Sequence, residues 1–239
     1  MTEAPQHIGI AACTAEGAAL CYRTICVEGA KLLGPYAHPE VSLHGFSLAD
    51  YMVHFGRSDW QGVAKLMLGS AEKLATMGAD FLICPANLPH EAMPFVQPRS
   101  PLPWLHIADV VAAEAVERGF KCLAITGTRA LAESAIYPER LAACGLECLR
   151  PSPAERAECN RIIFEELIRS IFKPESVATL QRMIARLKDE GAEAVILGCT
   201  EFPLVLNDGN SPLPILDSTR LLARAALRRA IEGVASARI

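Results

Sequence analysis

The chain lacks the features that would mark a large partner at once. No uninterrupted apolar stretch approaches the roughly 18 residues of a membrane helix, so no membrane partner is expected. No run of Lys and Arg exceeds two residues and the net charge is −4, so no basic patch for nucleic acid is expected either. Neither G-x-x-x-x-G-K-S/T nor G-x-G-x-x-G occurs, which removes the strong phosphate-binding signals. The N-terminus, Met1-Thr2-Glu3-Ala4-Pro5-Gln6-His7, has no basic start followed by the apolar core of a leader, and a cytoplasmic protein is expected. Cysteine is plentiful but unpatterned. Nine occur, an odd number with no C-x-x-C spacing, which argues against a disulfide framework or a metal cluster and for thiols used as small core side chains.

What is present describes a globular protein that handles a small metabolite. Hydrophobic residues make up 51% of the 239, charged residues 21%, and 16 Gly and 16 Pro are spread along the chain. His7 to Ala12 reads as a buried strand, followed by a turn at Cys13 to Gly17, with Thr14 as N-cap, and a helix to about Leu33. Val41 to Phe46 alternates as a strand, Trp60 to Met77 has helical spacing, and Phe81 to Cys84 is a third strand. Pro94 to Pro103 holds four prolines and reads as a loop crossing between two halves.

A second unit repeats the alternation. His106 to Arg118 is expected as a helix, Lys121 to Ile125 as a strand and Ala130 to Cys144 as a helical stretch after the Thr126-Gly127-Thr128 turn. Leu146 to Leu149 follows as a strand, then helices over Ala154 to Phe172 and Pro174 to Glu190, and the strand Ala194 to Leu197. Ser218 to Val234 reads as a helix that returns to the first unit. The expected fold is α/β: two similar parallel-sheet domains related by a pseudo-twofold axis, with the site in the cleft between them. The first domain is assigned to 1–100 plus 213–239, the second to 101–212.

One internal echo points to chemistry. Gly191-Ala192-Glu193, an apolar strand and Gly198-Cys199-Thr200-Glu201 have the same layout as Gly78-Ala79-Asp80, a strand and Pro85-Ala86-Asn87-Leu88. Ungapped alignment sets Ala86 opposite Cys199, so one half offers a thiol and the other a methyl group. Both turns lie beyond the carboxyl end of a strand, where ligands of parallel sheets bind.

Here the chain resembles the aspartate/glutamate racemase superfamily, the cofactor-independent racemases that use a pair of cysteines. Gly198-Cys199-Thr200-Glu201-Phe202-Pro203 is similar to its second-half signature, and Ala86-Asn87-Leu88-Pro89-His90 retains Asn87 and His90 of its first-half one. Ile8 to Gly17, Thr126-Gly127-Thr128 and Tyr137 resemble further family features. The resemblance implies a site that takes an amino acid or small carboxylate without metal or cofactor. Cys199 would be the essential acid/base. Asn87, Thr200, Thr126, Thr128 and Thr14 would bind the substrate, and Glu201 would orient Cys199 or a substrate amine or favour the start of the following helix. A thiol near a helix N-terminus is expected to have a lowered pKa and to serve as base. Homodimers are common among such relatives, though nothing in the sequence marks an interface.

Ala86 stands where the family's first cysteine would be, and it carries no proton. His90 could supply the second acid/base group, whereas Cys84, two residues back on a strand, is expected to point into the sheet. The alternatives are a single-thiol decarboxylase or one-faced isomerase, with Leu88, Pro89, Met93, Phe95 and Trp104 as an apolar wall, and a non-catalytic carboxylate-binding protein. His44, His54 and His106 read as core or surface histidines, and Asp217 as the cap of the last helix.

Overall fold

The computed structural model describes residues 4–235. Met1 to Glu3, on which the expectation of no leader partly rests, and 236–239 of the expected first domain lie outside the described residues. The chain forms two compact units, Met1–Ile107 with Thr219–Ile239, and Ala108–Ser218. Each boundary falls just after the edge strand that completes a sheet, so the strands following Pro103 and Pro214 stay with the units that precede them.

The first unit runs β1 (Ile8–Ala12), α1 (Ala15–Leu33), β2 (Val41–Gly45), α2 (Leu48–Phe55), α3 (Trp60–Thr76), β3 (Phe81–Ile83), α4 (Met93–Val96) and β4 (Trp104–Leu105). Its strands form a parallel sheet in the order β2-β1-β3-β4. After α5 (Ile107–Glu117), the second unit continues through β5 (Cys122–Thr126), α6 (Arg129–Glu133), α7 (Ile136–Ala143), β6 (Glu147–Leu149), α8 (Pro153–Arg161), α9 (Pro174–Asp189), β7 (Ala194–Leu197) and β8 (Ile215–Asp217). Its sheet is also parallel, in the order β6-β5-β7-β8. α10 (Ser218–Ala235) then belongs to the first unit from Thr219 onward. There Arg224 pairs with Glu28 of α1 at 2.9 Å, and the Gln6 N–H donates to the Ala230 carbonyl.

The repeated residues do the same work in both units. The Asp80 carboxylate accepts from the His7 N–H at the head of β1, and the Glu193 carboxylate accepts from the N–H groups of Lys121 and Cys122 at the head of β5. A second duplication lies further on, in Ser100-Pro101-Leu102-Pro103 and Ser211-Pro212-Leu213-Pro214. In each copy the serine hydroxyl donates to the leucine carbonyl at 2.7 Å and accepts from the leucine N–H at 3.3 Å. The second proline carbonyl then accepts from Leu82 N–H in one unit and Val195 N–H in the other. Prolines cannot donate to a ladder, so both copies deliver the chain to a sheet edge, as β4 and β8.

Several elements differ from the sequence reading. Pro94 lies inside α4 and Pro98 inside a 3₁₀ turn, Gln97–Arg99, because each occupies a first-turn position where a missing N–H is harmless. α2 was not anticipated; Ser47 starts it by accepting from the Ala49 N–H. The stretch from Ala130 divides into α6 and α7 at Ser134, whose backbone is extended and whose hydroxyl donates to the Leu131 carbonyl. The helix after the Ser152/Glu155 capping box widens into a π turn at Ile162–Glu166, narrows to a 3₁₀ turn at Leu167–Arg169 and ends at the left-handed Ser170. Among the described residues no helix is long and apolar enough to cross a membrane.

Candidate active site

β7 is buried along its whole length and delivers Gly198 and Cys199 at its carboxyl end. The close approach there depends on glycine. A Cβ on Gly198 would lie 2.6 Å from the Thr126 carbonyl oxygen and 2.5 Å from Leu131 Cδ2, and the Gly198 N–H donates to that same carbonyl at 2.9 Å. Gly127, on the facing turn, has φ +151° and would put its own Cβ 3.3 Å from the Gly198 backbone. Gly198→Ala is therefore expected to part the β5 and β7 ends and move Cys199. A loss of about 2–3 kcal/mol in urea unfolding should accompany at least about a tenfold loss of activity. An unchanged unfolding midpoint would contradict this packing.

Cys199, Thr200 and Glu201 are all buried. The Cys199 thiol donates to Glu201 Oε2 at 3.0 Å and the Thr200 hydroxyl donates to the same oxygen at 2.8 Å. Burial, followed by the negative Glu201 beside it, pushes the Cys199 thiol well above its ordinary pKa. This corrects the expectation of a lowered value. The turn that follows is only the three-residue 3₁₀ segment Phe202–Leu204, and a carboxylate, not a cation, faces the sulfur. The sulfur therefore lies against a carboxylate in a buried turn.

The other polar residues of this unit fix the turns. The Thr126 hydroxyl donates to the Ile196 carbonyl at 2.7 Å, locking β5 to β7, and Thr128 caps α6 by accepting from the Leu131 N–H. Buried Tyr137 shares a hydrogen bond with Ser218, whose hydroxyl donates to the Leu197 carbonyl at 2.8 Å. Thr126, Cys199, Thr200 and Glu201 thus gather with Tyr137 and Ser218 around the carboxyl ends of β5, β7 and β8.

In the first unit Ala86 and Asn87 follow β3 and are buried, and Thr14 caps α1 through the Gly17 N–H. His90 is 2% exposed and lies in the 3₁₀ turn Leu88–Ala92. Its Nε2 sits 3.1 Å from the Cys84 carbonyl, and because a carbonyl only accepts, this nitrogen carries the hydrogen. The His90 ring packs edge-to-face on His106, with centroids 4.5 Å apart. Cys84 is fully buried, its thiol directed to the Ala86 carbonyl at 3.9 Å and pushed up to about 12 by burial. Met93 and Trp104 belong to the apolar core beside α3, Pro89 is buried, Leu88 half-buried and Phe95 exposed.

The sequence reading missed the grouping of His106 with His90 and of Ser218 with Tyr137. The repeated Ser-Pro-Leu-Pro was the available signal, because it places His106 and Asp217 at matching points of the two units. Among the described residues no group of three or more His, Cys, Asp or Glu side chains is placed to hold a metal ion.

Comparison with known proteins places this arrangement. Over 172 residues the chain is 28% identical to the broad specificity amino-acid racemase RacX of Bacillus subtilis, covering 71% of this chain and 73% of that protein. A putative Asp/Glu racemase from Yersinia pestis superposes with a TM-score of 0.87 at 29% identity, over 95% of this chain and 99% of that one. An aspartate racemase homologue from Pyrococcus horikoshii gives 0.80 at 30% identity, over 94% and 99%. Residues 25–226, most of the chain, match the sequence profile described as Asp/Glu/Hydantoin racemase, and the protein belongs to that racemase family.

Proposed function

We propose that the protein is a cofactor-independent racemase or epimerase of a small amino acid or related carboxylate, acting by α-proton transfer through Cys199. The observation that carries this reading is the buried 3.0 Å contact between the Cys199 sulfur and the Glu201 carboxylate. Glu201 accepts the thiol proton, and the pair keeps a single negative charge before and after, so no new charge is created in a buried site. The thiolate then removes the α-proton, and the electron pair of the broken C–H bond remains as a carbanion delocalised into the substrate carboxylate. Asn87 and Thr200 are assigned to that carboxylate, where donors aimed at developing charge lower the barrier most. Thr14, Thr126 and Thr128 act through the turns they fix. Inversion needs a proton delivered to the other face of the α-carbon, and His90 is assigned that transfer: as the imidazolium it gives the Nδ1 proton while Nε2–H stays on the Cys84 carbonyl, and in the reverse direction the neutral ring takes the α-proton at Nδ1.

Incubation with a panel of amino acids in D₂O should show deuterium entering the α-position and both enantiomers forming from either one; no exchange across the panel would overturn the reading. Glu201→Gln should slow this exchange by about 10²-fold, as expected on removing a proton acceptor. The same change removes the charge that pushes the thiol up, so iodoacetamide labelling at Cys199, followed by mass spectrometry, should begin at a lower pH than in the wild type. Labelling with an unchanged pH profile would count against the Cys199–Glu201 pair.

Ala86 favours a second reading, in which one face only is protonated. A methyl group cannot exchange a proton, and a decarboxylase that generates its own carbanion, or a one-faced isomerase, needs one thiol. Release of CO₂ with a single enantiomer as product would select it.

A further inference from the structure

The two Ser-Pro-Leu-Pro copies extend into the strands they feed. Trp104 and Leu105 pair with Leu82 and Ile83 in one sheet, as Ile215 and Leu216 pair with Val195 and Ile196 in the other. The next residue in each is polar, His106 in the first and Asp217 in the second, and Asp217 pairs with Leu197 at the end of β7. Continuing the same register sets His106 level with Cys84, whose carbonyl accepts from His90. His106 is 6% exposed, and its ring meets that of His90 at 4.5 Å and 72°. An aliphatic side chain would fill a buried strand end without the desolvation cost of an imidazole, so simple packing does not account for the residue.

Edge-to-face contact is directional. It fixes the plane of each ring and is worth about 0.5–1.5 kcal/mol beyond the area it buries. A His90 ring free to turn about its Cβ–Cγ bond would swing Cε1 to the Cys84 carbonyl in place of Nε2; with no acceptor left to fix the tautomer the two forms would mix, and the nitrogen used for proton exchange would alternate. We infer that His106 is a positioning residue of the first unit's half of the site, holding the His90 ring so that Nε2 stays on the Cys84 carbonyl and proton exchange falls to Nδ1. The inference rests on the proposed function in giving His90 the second proton transfer, but the ring geometry itself can be tested without turnover.

Two variants of similar volume separate positioning from packing. His106→Leu fills the space without an aromatic face, and His106→Phe restores the face without the nitrogens. In ¹⁵N-labelled protein, the His90 imidazole should show the Nε2–H tautomer in the wild type and in His106→Phe, and a mixture in His106→Leu. In the D₂O assay, His106→Leu should lose at least about tenfold in kcat with KM within about threefold, the split expected when the proton transfer and not substrate binding is affected, and His106→Phe should recover it. A single tautomer in all three proteins, or a raised KM with unchanged kcat in His106→Leu, overturns the inference. Failure of His106→Phe to recover either readout also overturns it, because the nitrogens would then matter in their own right. If the wild type shows no exchange, the proposed function falls, and the tautomer comparison still decides the role of His106.

Discussion

Cys199→Ala is expected to reduce α-deuterium exchange by about 10³- to 10⁴-fold, the upper part of the range of about 10²–10⁴ for a side chain that transfers a proton in the transition state. No neighbour can replace it. Cys159 lies in the same apolar cluster as Cys199, but burial pushes its thiol up to about 12 and its Sγ is in contact with Met183 Sδ at 3.4 Å. Glu201 would keep the Thr200 hydroxyl as donor, so the variant leaves no orphaned carboxylate. The loss of one sulfur from a buried position should cost about 1 kcal/mol, too little to unfold the protein. Circular dichroism and a urea melt should therefore show a folded variant, and the missing exchange can be read as chemistry. Cys199→Ser should be nearly as inactive, since a buried hydroxyl is a far weaker acid than the thiol it replaces. Exchange within tenfold of the wild type in either variant would remove Cys199 from the reaction. Calorimetric binding of the same amino acids that survives both changes, with no turnover in the wild type, would select the binding-protein reading.

Much of this site was legible because the sequence repeats itself. The Gly-Ala-acid layout marked Asp80 and Glu193, and both carboxylates turn out to anchor the head of a central strand, a purely local role that any short acid can perform. The apolar runs at Ile8, Phe81 and Ala194 gave strands because buried parallel strands need no alternation. The direction of the Cys199 shift was not legible. It depends on which oxygen lies beside the sulfur, and a side chain two residues along can equally face away. α2 escaped because its eight residues make little more than two turns, too short a run for a helical repeat to stand out from the neighbouring loops. The His90–His106 contact joins a 3₁₀ turn to a sheet edge, so no spacing within either segment encodes it. Only the second duplication, in the prolines, reveals that His106 directly follows an edge strand.

The largest stability effect is expected away from the site, at Glu166. The π turn carries this residue inward until it is 2% exposed. There it accepts from the Ser176 hydroxyl at 2.6 Å, the Arg161 guanidinium at 2.7 Å and the Lys173 ammonium at 3.3 Å. These partners, Ser176 first and Arg161 next, hold its carboxyl at about 2, against an ordinary 4.5. A folded pKa below the unfolded one means that the contribution is complete above about 4.5 and is lost as the pH falls through about 2. Arg161→Met removes the strongest charged partner and leaves the carboxylate to Ser176 and Lys173, which should lower the urea midpoint clearly at pH 7. The deficit should shrink at pH 3, because Glu166 of the variant protonates in the folded state where the wild type does not. Arg161 also meets Glu158 and Glu165, both open to solvent, and exposed pairs of that kind contribute at most about 1 kcal/mol. Glu158→Gln should accordingly shift the midpoint little at either pH. A deficit in Arg161→Met that is equal at pH 7 and pH 3 would mean that the guanidinium stabilises the helix by packing and not by its charge on Glu166.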